Sequence, residues 1–520
     1  MNLELEVFRN LFVSIAEEMG IVLRRTAFSP NIKERRDYSC ALFDGQGLTV
    51  AMGDHMPAHL GAMPASVKAV MDEVRPGPGE IYFLNDPFRG GTHLPDITSV
   101  SAVYLDAAAG PAFYLATRAH HADVGGMAPG SMPLASEIYQ EGLRIPPIRL
   151  VRRGGYDPAL LSVILANVRT PDERLGDLGA QVAAHRVGER RLNEAVARHG
   201  IEKVAQQMAA LQDYAEAVMR ARLEAIPDCE CRYTDWLDDD GFGSDPIGIR
   251  CRLAIDGSSA TVDFRESDSQ VRGGVNANRA VTTSAVMYCF RCLLDGETPY
   301  NAGILRPIEI LTQPGSVCDA LLPASTAAGN VETSQRIVDV VLGALRRALP
   351  GKLPAAGSGT MNNVSFGGTD PGGGRPFSYY ETVAGGMGAW AGADGLSGVH
   401  THMTNSLNTP IEAFERQYPV RIRRYALRRG SGGGGARRGG DGVVRDYEFL
   451  ADVTLAILSE RRKRGPSGAE GGRPGARGRN LLNGTEIPSK GIFEVRRGDR
   501  LRIETPGGGG YFEDSSSKCS

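Results

Sequence analysis

Tryptophan is nearly missing from this chain, with two in 520 residues, and aromatics make up only 7%. Stacking platforms for single-stranded nucleic acid are therefore not expected. Neither sign of charge prevails. Lys and Arg number 58 against 61 Asp and Glu, a net charge of −3 that leaves no electrostatic footprint for nucleic acid. No run of about 18 apolar residues occurs, so no helical membrane span is expected. The N-terminal apolar pattern is interrupted by Arg9, Glu17 and Glu18, unlike a secretory signal. The G-x-x-x-x-G-K-[ST] phosphate loop and the G-x-S-x-G nucleophile elbow are both absent. Gly507–Gly510 are a poor nucleotide fingerprint, because no helix is expected after them. No repeat of 20–50 residues is visible.

Glycine and proline, by contrast, are plentiful at 66 and 30. They predict an α+β fold of several domains, with hairpin-rich mixed sheets, a helical middle and a β-rich C-terminal part. The expected divisions are 1–156, 157–245 and 246–520. Eight cysteines include a C-x-C at Cys229 and Cys231 and a C-x-x-C at Cys289 and Cys292. The second lies in the apolar run AVMYCFRCLL, where burial is a better reading than zinc. The expectation is a cytoplasmic protein with reduced thiols.

Chemistry concentrates in two short pieces, His93-Leu94-Pro95-Asp96 and Arg118-Ala119-His120-His121-Ala122-Asp123. Residues 97–105 and 112–120 both read as strands, with a turn over Asp106–Pro111. In such a hairpin the start of the first strand faces the end of the second. Asp96 then lies opposite His120 or His121, and a one-residue slip decides which imidazole shares its face. His93 is one short segment away. Imidazole and carboxylate converging at strand ends suit a divalent metal. The bland alternative is that these groups cap strands and bond backbone.

Other segments read less sharply. Residues 3–25 form an amphipathic helix. Asp37 begins a strand after Arg35 and Arg36, where a salt bridge is the simplest local reading. His55 and His59 have helical spacing, but Pro57 lies between them. Residues 157–226 are predicted helical, with breaks near Thr170-Pro171 and at Gly200. A hairpin is expected over 246–265, an apolar helix after Asn278, and another helix over 331–349. The Gly/Arg segments 431–447 and 465–480 suit flexible linkers or RNA-binding loops by composition alone. The strand-like sequence flanking them favours ordered loops. The final SSSKCS is expected to fray.

Taken in order, NIKERRDYSCALFD, GDHMPAHLGAMPAS, NDPFRGGTHLPDIT, RAHHADVGGMAPGSM, TSQRIVDV and TPGGGGYF resemble the hydantoinase B family over about residues 3–512. That family includes N-methylhydantoinase B subunits, the C-terminal half of ATP-dependent 5-oxoprolinases and acetone carboxylase alpha subunits. The resemblance implies a hydrolase of cyclic amides such as hydantoins, 5-oxoproline or other lactams. It implies a hetero-oligomer with a hydantoinase A-like subunit that binds and cleaves ATP. It also implies a divalent metal (Zn, Mn or Fe) on His93, Asp96 and His120, with Asp37 as fourth candidate. His121 and Asp123 are the catalytic candidates and alternate ligands, and Asp123 or Asp37 would accept a proton. Two further readings are an ATP-dependent ketone carboxylase subunit and a non-catalytic subunit that stabilises its partner.

Overall fold

A computed structural model describes residues 1–53, 55–106, 110–153 and 155–513. The middle of the predicted Asp106–Pro111 turn and the SSSKCS tail lie outside the described residues. The first helix, α1 (Leu3–Thr26), buries Leu5, Phe8, Phe12, Ile15 and Met19, one stripe at three- and four-residue steps. Asn2 caps it through a 2.8 Å bond from the Leu5 amide. Glu4 and Glu6 in its first turn and Arg24 and Arg25 in its last complement the helix dipole. Three shorter helices follow: α2 (Pro30–Lys33), α3 (Pro57–Leu60) and α4 (Met63–Glu73).

The N-terminal sheet has seven strands: β1 (Tyr38–Phe43), β2 (Thr49–Met52), β3 (Ile81–Leu84), β4 (Asp96–Val103), β5 (Phe113–His120), β6 (Ile148–Arg152) and β7 (Gly155–Tyr156). Their order is β2-β1-β5-β4-β3-β6-β7, antiparallel throughout. Its central strands are buried on both faces. Leu42, Val103 and Leu115 pack with Phe12, Met19 and Leu192 on one side. Phe43, Val100 and Ala116 pack with Met63, Val67 and Val70 of α4 on the other. Side-chain alternation thus dedicates even positions of β4 and β5 to the α4 face.

The helical middle runs through α5 (Pro158–Ala166), α6 (Pro171–His199) and α7 (Ile201–Glu224), broken where Thr170-Pro171 and Gly200 predict. A four-stranded sheet comes next: β8 (Cys229–Leu237), β9 (Ile247–Asp256), β10 (Ser259–Asp263) and β11 (Ile308–Leu311), with β10 and β11 parallel. Helices α8 (Arg279–Arg291) and α9 (Ser334–Ala348) share its core. One π-turn, Gly329–Thr333, leads into α9.

The C-terminal part is β-rich. Pro376–Glu381, Asn363–Thr369, Val453–Leu458 and Lys490–Val495 form a four-stranded sheet. Val420–Arg428, Gly442–Phe449, Arg500–Glu504, Arg479–Leu482 and Thr485–Glu486 form a five-stranded one. The Gly/Arg segments between them are ordered, stacked backbone on backbone. Gly508 donates to the Gly440 carbonyl and Gly440 to that of Met387, both at 2.9 Å. A Cβ on Gly508 would sit 2.0 Å from the Met387 oxygen, and one on Gly440 would sit 1.9 Å from that of Leu396. Only glycine allows strands of backbone to approach so closely.

The seven described cysteines are free thiols. Cys289 and Cys292 lie at the end of α8 and its cap. No helix among the described residues is long and apolar enough to cross a membrane.

Candidate metal centre

Register settles the hairpin. Asp96 pairs with His120, the last residue of β5. Both are even-numbered and therefore face α4, as Thr98 and Arg118 do. The Arg118 guanidinium bonds Thr98 Oγ1 and Ser66 Oγ of α4, each at 2.8 Å. His121 turns to the opposite face, where its Nε2 lies 3.1 Å from Gln181 Oε1 on α6.

His93, Asp96 and His120 offer ligand atoms that all lie within 4.8 Å of one another, and all three residues are buried. His93 Nε2 is 3.1 Å and His120 Nδ1 3.3 Å from Asp96 Oδ1. Yet His93 Nε2, Asp96 Oδ1 and His120 Nε2 have no hydrogen-bond partner. Buried polar atoms are rarely left so. Three residues whose ligand atoms converge, each also carrying an orphaned polar atom, fit a divalent ion.

The surroundings fix each candidate ligand. His93 Nδ1 meets the Ala327 carbonyl at 3.1 Å. Asp96 Oδ2 accepts bonds from Thr92 Oγ1 at 2.9 Å and from Asn330 Nδ2, in the π-turn, at 3.1 Å. The His120 ring stacks on Tyr380, centroids 4.5 Å apart, and the Tyr380 hydroxyl donates to Asn363 at 2.7 Å. Such outer contacts orient metal ligands.

His59, on α3, joins the group. Its Nε2 is 3.4 Å from Asp96 Oδ2 and 3.9 Å from Asp37 Oδ1, while Nδ1 meets Ser39 Oγ at 3.0 Å. Pro57 stands at the first turn of that short helix, where proline is tolerated, so it does not divert His59. Asp37 therefore sits one imidazole away from Asp96. Among the described residues its expected salt bridge, with Arg35 or Arg36, does not form, and its ion-pair contact is with His59. The buried Arg35 guanidinium instead bonds Asn31, the Tyr380 carbonyl, Thr382 and Ser406.

Asp123 is fully buried and serves a loop. It accepts from the Gly125 amide at 2.9 Å, the Arg169 amide at 3.2 Å and the Arg169 guanidinium at 3.0 Å. His121 and Asp123 thus lie on the α6 side of the sheet, lining a small recess with Ile97, Arg174 and Leu178.

Electrostatics follow from burial. Desolvation opposes the Asp96 charge, but His93, His59 and His120 hold its carboxyl well below the usual range. Burial alone would lower His93, and Asp96 with the Ala327 carbonyl raises it above its ordinary value. For His120 burial prevails and the imidazole is pushed down. The buried Glu141 carboxyl is raised by desolvation.

Sequence reading missed Glu141, Asn330 and Tyr380, all far along the chain from the motifs. No local pattern marks them. The spacing of His59 from His55 was no guide, because His55 precedes α3 and accepts from the Cys40 amide at 3.2 Å.

A family model described as Hydantoinase B/oxoprolinase matches residues 1–514. An uncharacterised protein of Methanocaldococcus jannaschii is 40% identical over 97% of this chain and 90% of its own length. 5-oxoprolinase 1 of Arabidopsis thaliana is 38% identical over 98% of this chain. The chain spans only 41% of that protein's length. The crystal structure of an ATP-dependent caprolactamase from Pseudomonas jessenii superposes with a TM-score of 0.91 at 28% identity, covering 98% of this chain and 91% of that one.

Proposed function

The chain belongs to the Hydantoinase B/oxoprolinase family, and on that premise we propose that it is the metal-bearing component of an ATP-dependent hydrolase of cyclic amides. The observation that carries this reading is the buried convergence of His93, Asp96 and His120, each of which carries an unpartnered polar atom. The names of the similar 5-oxoprolinase and ATP-dependent caprolactamase support lactam chemistry and a need for ATP. A hydantoinase A-like subunit would supply the ATP site.

An amide resists attack because its resonance must be broken. Phosphorylation of the amide oxygen in the partner would remove that obstacle, leaving water to attack the same carbon. His93, Asp96 and His120 would hold the ion, and Asp37 is the fourth candidate. A divalent ion held there would acidify water and polarise carbonyl oxygen. Asp37 would accept the proton as the new C–O bond forms and return it to the ring nitrogen as the C–N bond breaks, leaving an acyl phosphate from which a second water releases phosphate. It is the carboxylate nearer the cluster, whereas Asp123 is occupied by Arg169. His121 and Asp123 would act from behind, by fixing the strand end that carries His120.

The test is metal content with ATP-dependent turnover, measured on the chain co-expressed with such a partner. Near-stoichiometric metal in the wild type, lost in His93→Ala and Asp96→Ala with folding intact, is expected. Full turnover in both variants would sink the reading. Turnover that strictly requires bicarbonate would point instead to a carboxylase.

A further inference from the structure

The segment Ser325–Glu332, more than 200 residues from the HLPD motif, addresses each candidate ligand in turn. The Ala327 carbonyl meets His93 Nδ1, and the Asn330 amide meets Asp96 Oδ2. Glu332 accepts from Asn363 Nδ2 at 2.7 Å, and Asn363 in turn accepts the Tyr380 hydroxyl beneath His120. This segment has little secondary structure before its π-turn, so something must fix its path.

Asn276 Nδ2 donates to the Ser325 carbonyl at 3.0 Å, and the Gly274 carbonyl accepts from the Ala328 and Gly329 amides at 2.8 and 2.9 Å, but the stretch between them is held by one carboxylate. Glu141 Oε1 accepts from the Ser325 hydroxyl, the Thr326 amide at 2.6 Å and the Ala327 amide at 3.0 Å. Three donors on one oxygen fix the two peptide groups that lead into Ala327, and so constrain where its carbonyl, in the following peptide, meets His93. Glu141 is itself completely buried and braced. The Leu143 amide donates to Val124 at 2.8 Å, and the Ile138 amide to Pro323 at 3.0 Å. The Arg169 guanidinium spans Asp123 and the Gly126 carbonyl at 3.0 and 2.7 Å. A Cβ on Gly126 would lie 2.3 Å from the Glu141 carbonyl oxygen, so that loop and Glu141 are in close contact.

We propose that Glu141 is a positioning residue for the metal centre: through its three bonds to Ser325–Ala327 it sets the carbonyl that orients His93 and fixes which ring nitrogen faces Asp96. The proposal rests on the metal reading above. It assigns Glu141 no contact with substrate or ion. A carbonyl acceptor at Nδ1 requires the proton there and leaves Nε2 as the lone-pair donor. What Glu141 must supply is a hydrogen-bond acceptor at Oε1, and its second oxygen has no partner. Glutamine can supply the same acceptor, and alanine cannot.

The experiment titrates Co(II) and Mn(II) into wild type, Glu141→Ala, Glu141→Gln, Ser325→Ala and His93→Ala proteins. It follows affinity by chelator competition and ligand geometry by the Co(II) visible spectrum. For Glu141→Ala we expect affinity lower by about 10- to 100-fold and an altered Co(II) spectrum. For Glu141→Gln we expect wild-type spectrum and affinity within about threefold, since its carbonyl oxygen replaces Oε1. Wild-type affinity and spectrum in a folded Glu141→Ala protein would overturn the proposal. So would equal damage in Glu141→Gln and Glu141→Ala, which would mean that charge and not the acceptor matters. If Glu141→Ala does not fold, Ser325→Ala decides: a few-fold loss of affinity with a shifted spectrum supports the proposal, and no change overturns it. The two readings fail separately. Absence of metal from wild type, or its retention in His93→Ala, refutes the metal site itself. Loss in His93→Ala with no effect at Glu141 refutes only the positioning role.

Discussion

At the scale of single residues, the proposed division between holding the ion and moving the proton follows a difference in exposure. His93, Asp96 and His120 are sealed in, with side chains at most 3% exposed, while that of Asp37 is 10% exposed. A group that exchanges protons with solvent needs such access. Asp37→Asn keeps the shape and an acceptor oxygen but cannot take up a proton. Its expected effect is a fall in turnover of about 10²- to 10⁴-fold, with metal content and melting temperature near wild type. Assays of kcat beside metal analysis check this, and parallel loss of metal would make Asp37 a ligand instead. The same contrast explains what sequence could reveal. The HLPD and RAHHAD pieces were legible because both imidazoles and the carboxylate lie close in sequence or across one hairpin. The choice between His120 and His121 was not legible, because it depends on a register set by the packing of both sheet faces.

At the scale of elements, parity in β4 and β5 puts Asp96 and His120 on the α4 face and sends His121 to α6. The remaining parts of the centre arrive on α3, on the π-turn before α9 and on the strand that carries Tyr380. The helices over 3–25, 171–199 and 334–348 were legible from apolar spacing and from proline or glycine breaks. The Gly/Arg segments were less so, since composition describes flexibility and takes no account of neighbours. Here the missing side chains are what allow four separated glycine stretches to pack. Gly433, Gly440 and Gly508 exchange backbone hydrogen bonds at 2.9 Å with segments distant in sequence. Adding one methyl tests this. In Gly508→Ala the new Cβ would press on backbone atoms of Met387 and Gly388 at 2.0–2.7 Å, which no rotamer change relieves. The expected loss is about 3 kcal/mol, seen as a lower urea midpoint or as insoluble protein. Unchanged stability would mean that the layers part easily.

At the scale of the whole molecule, the central strands of the N-terminal sheet are buried on both faces and take polar groups inside with them. His185 of α6 is such a group, 2% exposed, with its ring nitrogens 2.8 Å from Ser99 Oγ and 2.7 Å from Ser101 Oγ on β4. Burial pushes its imidazole down to about 3, from 6.5 when unfolded. The folded state therefore resists a proton that the unfolded chain accepts. The stability His185 contributes is fully present above pH 6.5 and is lost as pH falls from there toward 3. At pH 4.5, two units into that window, the loss is about 2–3 kcal/mol. Carboxylates titrate in the same range, so the comparison must be with a variant that lacks only this group. His185→Gln retains an amide able to bond both serines and has no proton to gain. Urea midpoints at pH 7.5, 5.5 and 4.5 should fall more steeply in wild type than in His185→Gln, whatever their absolute difference at pH 7.5. Parallel slopes would show that α6 leaves the sheet, and hydrates His185, before the molecule unfolds.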